Sequence, residues 1–195
     1  VTIAEESTDW PRVTRPSAAD GLGFSMKWDL GWMHDTLDYF QHEAAHRSEY
    51  QDELSFAMIY HGNENYLRPL SHDEVVHEKR SLLGRMPGDD CERFANLRVL
   101  LGWQWCLPGK QLLFMGGELG QPVEWDENAE VPWKLLENDS HHAGLQKWVE
   151  DLNRLYRTES ALWEADYDES CFFWVDCQDL DAGILSFARQ DTVGS

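Results

Sequence analysis

Tyr66-Leu67-Arg68-Pro69-Leu70-Ser71-His72-Asp73-Glu74-Val75-Val76-His77 is the stretch that decides how this chain is read. Tyr66, Leu67, Pro69 and Leu70 form an apolar approach with the length of a buried strand. Directly after it, two carboxylates and two imidazoles crowd together. Polar groups delivered to the end of a buried strand are how parallel barrels build active sites. The pattern predicts strands alternating with helices and a functional site at the strand ends.

The sequence on either side repeats that rhythm. Residues 1–4 read as a β-branched strand running into Glu5 and Glu6, and residues 24–28 as a second strand after the Gly21-Leu22-Gly23 turn, ending at Asp29. Apolar residues at helical spacing over 32–40 and 54–60 predict a broken or paired helix. Phe94, Leu97, Leu101 and Trp105 predict a helix that stops before Pro108-Gly109; residues 110–115 read as a fourth strand, and Leu145, Val149, Leu152 and Tyr156 mark another helix. Near Tyr167 the character changes. Residues 171–175 and 184–188 read as short strands separated by a polar turn, which predicts an antiparallel module. The first strand is entered partway along, so the sequence reads as a piece of a longer chain.

The 195 residues can bury a sizeable core. Sixteen Lys and Arg against thirty-six Asp and Glu give a net charge of −20. Repulsion from phosphate makes nucleic acid and anionic membrane surfaces poor partners. A neutral substrate fits better, and most of the negative charge reads as serving solubility. Ten Trp, six Tyr and eight Phe supply flat apolar rings, those of Trp and Tyr with a polar edge, suited to sugar faces as well as to protein cores. Cys91, Cys106, Cys171 and Cys177 match neither a CxxC pair nor a zinc ribbon; buried free thiols in a reducing cytoplasm are expected. No apolar run approaches the roughly 20 residues that span a bilayer.

Asp73-Glu74-Val75-Val76-His77 has the outline of the HExxH zinc motif but lacks its ligands, because Asp73 stands where the first His is required. No metal is expected. There is no G-x-S-x-G elbow, and Gly116-Gly117-Glu118-Leu119-Gly120 lacks the Lys and the spacing of a phosphate loop. Its glycines read as serving close packing or positive φ. Asn138-Asp139-Ser140 is a formal glycosylation sequon, silent in a cytoplasmic protein. What remains is acid chemistry on a sugar. Glycosidic cleavage needs a carboxylic acid to protonate the leaving oxygen and carboxylate charge beside an oxocarbenium-like centre. Two strand ends offer such groups: Glu5 or Glu6 at one, His72-Asp73 at the other. Solvated loop charge is the competing reading.

Six blocks carry a family resemblance. They are Thr2-Ile3-Ala4-Glu5-Glu6-Ser7-Thr8; Gly21-Leu22-Gly23-Phe24 with Lys27-Trp28; Gly31-Trp32-Met33-His34-Asp35-Thr36-Leu37-Asp38-Tyr39; residues 70–77; Arg85-Met86-Pro87-Gly88-Asp89; and Pro108-Gly109-Lys110-Gln111-Leu112-Leu113-Phe114-Met115-Gly116. Together they closely resemble the bacterial 1,4-α-glucan (glycogen) branching enzymes, a branch of the α-amylase superfamily (glycoside hydrolase family 13). The resemblance covers nearly the whole chain, in order. Three places depart from it: Glu78-Lys79 stands where Gly-Lys is usual, Arg68 occupies a position more often apolar, and the Gly117-Glu118-Leu119-Gly120 loop differs slightly.

The resemblance implies an α/β fold, the second half of a (β/α)8 TIM barrel (strands five to eight, residues 1–160), followed by the start of a carboxy-terminal all-β sandwich (residues 161–195). It implies that Glu5 is the general acid/base, Asp73 the transition-state stabiliser and His72 a binder of substrate hydroxyls. The covalent nucleophile, an Asp preceded by an Arg, would lie upstream of Val1, in an amino-terminal half absent from this sequence. Glu6, Trp10, Trp32, Glu74, His77 and Trp125 are the further candidates for substrate contacts. Glu74 and His77 have a second reading, as buttresses of their loop. The implied partner is an α-glucan such as glycogen or an amylose-like chain, with no cofactor, and the implied reaction is transfer of a cleaved α-1,4 chain to a 6-hydroxyl with net retention. Two rivals stand beside it: a hydrolase of the same superfamily, and a fragment without catalytic activity as it stands.

Overall fold

The structure, a computed structural model, describes residues 1–194 and every side chain among them except that of Asn138. The sequon's acceptor and Ser195 therefore lie outside the described residues. Four parallel strands, β1 (Ile3–Ala4), β2 (Met26–Trp28), β3 (Tyr66–Leu70) and β4 (Lys110–Leu113), form one sheet in the order β1-β2-β3-β4. Parallel neighbours need long crossovers, and here helices supply them. These are α1 (Leu30–Gln41), α2 (Gln51–Ser55), α3 (Leu82–Arg85) and α4 (Asp90–Cys106); α5 (Leu135–Asn138) and α6 (Ser140–Thr158) follow β4. A separate antiparallel pair, β5 (Phe172–Asp179) and β6 (Ile184–Arg189), ends the fold.

The strands are short, so their ends were misjudged by the sequence pattern. The second begins at Met26 rather than at 24, and the fourth stops at Leu113 rather than at 115. Phe114 donates its N–H to the Leu70 carbonyl at 2.9 Å, after which the chain turns away at Gly116 with φ 85°. The helix expected over 54–60 is a relay of short turns, with 3-10 segments Ala44–Tyr50 and Phe56–Ile59 on either side of α2. The long helices behave as their sequences predict. Asp89 and Glu92 form a reciprocal capping box that starts α4, and Asp29 starts α1 by accepting the Trp32 N–H at 3.0 Å. Trp32, Met33, Leu37 and Phe40 from α1 meet Leu97 and Leu101 from α4 and Leu145 and Leu152 from α6 in one core. Gly120 is forced by this packing. Its φ is +62°, and a Cβ there would stand 2.7 Å from Leu145 Cδ2.

The sheet has two unlike faces. Register places Ala4 beside Lys27, and Leu70 beside Leu113, on the face that the helices cover. Ile3, Met26, Trp28 and Leu112 lie on the other face, where Ile3 is 40% exposed and the rest are half-buried. On the covered face Arg68 and Asp29 form an ion pair of 2.7 Å, both almost fully buried. Arg68 also donates to the Pro108 carbonyl at 2.8 Å and lies over the Trp32 ring. The β5/β6 pair docks through Trp174 and Phe187 against Trp103, and through Asp166, which accepts from Lys110 at 2.6 Å and Arg189 at 2.8 Å. All four cysteines are free as expected, but only Cys171 is buried; Cys91 is exposed. Among the described residues no helix is long and apolar enough to cross a membrane.

Candidate active site

The carboxyl ends of the first three strands carry polar residues, and the fourth runs into an aromatic ring. β1 runs into Glu5 and Glu6, β2 into Asp29, β3 into Ser71-His72-Asp73, and β4 into Phe114. After β3 the backbone stays extended at Ser71 and closes into a 3-10 turn, His72–Val75. That turn holds His72 and Asp73 side by side at the surface, with Nε2 of His72 3.1 Å from Oδ1 of Asp73 and both side chains about half exposed. A ring ladder supports the imidazole: His72 to Phe114 is 5.8 Å and Phe114 to Trp125 is 5.2 Å, edge to face.

Glu5 and Glu6 part company. Strand alternation sends them to opposite faces of the sheet. Glu6 follows Ala4 to the covered side and meets the buried Lys27 at 2.8 Å. The Lys27 hydrogen bond, helped by Thr8, holds the Glu6 carboxyl down to about 2. A carboxyl so held carries no proton near neutral pH and is poorly suited to donate one. Glu5 is exposed and, among the described residues, has no hydrogen bond or ion pair.

His72, His77 and Trp125 share a cleft of about 840 Å³ with Val76, Gln121 and the 123–132 segment. Neither Glu5 nor Asp73 is among its lining residues, and Trp10, 61% exposed, lies outside it too. A second pocket of about 360 Å³ runs along the β1/β2 ends, lined by Glu6, Asp9, Lys27, Asp29, Tyr60 and Tyr66. Burial and the neighbouring Asp29 push the Tyr60 hydroxyl up, so it stays protonated and donates to Asp29 Oδ1 at 2.9 Å.

Two candidate contacts are corrected by burial. Trp32 is 0% exposed, pressed into the core under Arg68, and has no free ring face to offer a sugar. Glu74 is buried at the base of its loop, 3.4 Å from both Arg85 and Lys79, with Arg85 also donating to its carbonyl at 2.7 Å. Of its two readings, buttressing is the one the contacts support. Sequence reasoning missed the Lys27–Glu6 and Asp29–Arg68 pairs and the role of Glu124, whose carboxylate accepts from the backbone of Glu78 and Arg80. Only Arg68, a cation inside an apolar run, had left a signal. Among the described residues no three His, Cys, Asp or Glu side chains converge in a way that could hold a metal ion.

The fold and this strand-end cluster define a parallel α/β protein with a polar, carboxylate-bearing site at the carboxyl edge of its sheet, the arrangement common to enzymes of this architecture. No protein-family model matches the chain. Curated relatives do. The chain is 53% identical over 194 residues to "1,4-alpha-glucan branching enzyme GlgB" of Aromatoleum aromaticum, covering 100% of the chain and 30% of that protein. The protein of the same name from Aquifex aeolicus is 53% identical over 193 residues, covering 99% of the chain and 30% of the relative; that from Thermobifida fusca is 54% identical over 193 residues, covering 99% and 26%. Throughout its length, therefore, the chain is homologous to the bacterial 1,4-α-glucan branching enzymes, and it spans about 30% of the length of the first of these relatives.

Proposed function

We propose that this chain forms part of a 1,4-α-glucan branching enzyme, a glycosyltransferase of glycogen biosynthesis acting in the cytoplasm. The complete enzyme cleaves an α-1,4 bond of a glucan, holds the chain as a covalent glycosyl-enzyme, and passes it to a 6-hydroxyl to form an α-1,6 branch. The reading rests above all on an identity of 53% over a match that spans the entire chain.

Each residue then has a task. Glu5 protonates the departing 4-oxygen and afterwards takes the proton of the incoming 6-hydroxyl; its lack of a hydrogen bond or ion pair among the described residues supports this over Glu6, whose carboxyl is already committed to Lys27. Asp73 and His72 grip hydroxyls of the distorted sugar and place negative charge beside the oxocarbenium-like centre. His77 and Trp125, facing one cleft with His72, bind the glucan further along, and Trp10 is free to stack on it. The nucleophilic carboxylate comes from another part of the longer polypeptide.

The parallel sheet, in this reading, is the second half of a (β/α)8 barrel over residues 1–160. The β5/β6 pair opens a β-sandwich over 161–195. The unpaired edges at β1 and β4, and the half-exposed apolar face carrying Ile3, Met26 and Trp28, are what a half barrel presents to its missing strands. The excess of negative charge favours a neutral polysaccharide over nucleic acid or an anionic membrane. Incubating the complete enzyme with amylose tests the reaction. New α-1,6 linkages without a matching rise in reducing ends are expected; reducing-end release with no branching would assign a hydrolase instead.

A further inference from the structure

We propose that Glu124 is a positioning residue: its carboxylate locks the 77–80 loop in a left-handed backbone and thereby sets His77 into the wall of the 840 Å³ cleft. The identity of the ligand, an α-glucan, rests on the function proposed above; the lock itself does not.

Three non-glycine residues of four in this loop have positive φ: His77 at 57°, Glu78 at 67° and Arg80 at 70°. L-residues are disfavoured there, because Cβ crowds the following carbonyl. Such a cluster persists only where its surroundings over-determine it, and clusters of this kind gather at binding sites. Here the determining contacts can be named. Glu124 accepts the Glu78 N–H on Oε2 at 3.1 Å and the Arg80 N–H on Oε1 at 2.6 Å, one oxygen for each. Its own backbone is anchored next door, where Trp125 donates its N–H to the Val75 carbonyl at 2.9 Å. The buried Glu74 also holds the Lys79 ammonium at 3.4 Å, and Lys79 N–H closes on the Val76 carbonyl at 3.3 Å. The loop is thus held by two carboxylates. His77, next to the gripped Glu78, and Trp125, next to Glu124, line the same cleft as His72, as does Glu124 itself. Releasing the grip lets residues 77–80 relax toward ordinary backbone angles and carries the imidazole out of register with Trp125.

Glutamate is the right group for this grip. Both of its oxygens accept, whereas a glutamine amide accepts on one and presents donors on the other. Glycine at 78 would adopt φ near +67° without steric penalty, so it relieves the need for the grip.

The test uses the complete enzyme as E124A, E124Q and the double variant E124A/E78G. Two readouts are followed: the rate of tryptic cleavage after Lys79 and Arg80, and KM and kcat on amylose. E124A should raise the cleavage rate about tenfold by opening the loop. It should raise KM about fivefold with kcat nearly unchanged, since uniform binding is what is lost. E124Q should fall between wild type and E124A. E78G added to E124A should recover part of both losses, which a general weakening of the fold would not allow. Unchanged cleavage in E124A overturns the lock. Faster cleavage with unchanged KM overturns its role in placing His77. A wild-type enzyme with no affinity for amylose would instead refute the proposed function, while the proteolysis still judges the lock.

Discussion

Removing the buried cation Arg68 should damage the fold far more than removing its whole ion pair. Arg68 and Asp29 have side chains only 1% and 2% exposed, and they meet at 2.7 Å. Substituting Arg68→Met leaves the Asp29 carboxylate buried with two neutral donors, the Trp32 N–H and the Tyr60 hydroxyl, and leaves the Pro108 carbonyl without its 2.8 Å partner. Breaking one side of a buried pair costs about 3–5 kcal/mol. Asp29→Leu strands the guanidinium and also removes the cap of α1, a loss of about 1 kcal/mol on its own. In the double variant no charge is left uncompensated. The cap, the Tyr60 contact and the Pro108 contact are still lost, so a deficit of about 2 kcal/mol remains. The singles should therefore not add, and the coupling should amount to several kcal/mol. Denaturant unfolding of wild type, both singles and the double measures it, with melting points of the singles roughly 10 °C below wild type. Additive losses, or singles within about 1 kcal/mol of wild type, would show that the pair is solvated and that the account of this face is wrong.

Three further outcomes are expected. The Glu6 carboxyl, held down to about 2 by Lys27, contributes stability that is fully present above its unfolded value near 4.5 and is lost as pH falls from there toward 2; Glu6→Gln should flatten unfolding midpoints across that window, and an unchanged pH profile would refute the ion pair's contribution. Trp32→Ala should lower stability by about 3–5 kcal/mol as a core truncation, whereas Trp125→Ala, half-buried against Phe114, should cost less stability and weaken amylose binding, and titrations of both variants separate the two fates. The 195-residue chain alone should self-associate through its open sheet edges and form no new α-1,6 linkages; a monomer by sedimentation with measurable branching would contradict the half-barrel reading.

The sequence was most legible where a local pattern carried the information. The strand over 66–70, the helices through Leu97 and Leu145 and the antiparallel pair after Tyr167 are where periodicity and turn chemistry put them. The pattern failed over 44–59, where a relay of 3-10 and α turns has no single period to detect. At the site, sequence adjacency brought His72 and Asp73 together correctly, but it could not separate Glu5 from Glu6. Their different fates follow from Lys27, more than twenty residues away, and from the face to which alternation sends each side chain. Trp32 looked like a stacking surface because a tryptophan's burial depends on what lies above it, here Arg68, thirty-six residues later in the chain on β3. Glu124 was invisible for the same reason: its partners are backbone N–H groups more than forty residues earlier, and no side-chain pattern marks them.

The most direct measurement is the branching rate of the complete enzyme carrying Glu5→Gln beside the same enzyme carrying Glu6→Gln. With Glu5 as the proton donor at the open end of β1, Glu5→Gln should lower the formation of α-1,6 linkages by about 10²–10⁴-fold while amylose still binds, and Glu6→Gln should stay within a few-fold of wild type. The reverse order, with Glu5→Gln active and Glu6→Gln dead, would contradict the assignment of the site.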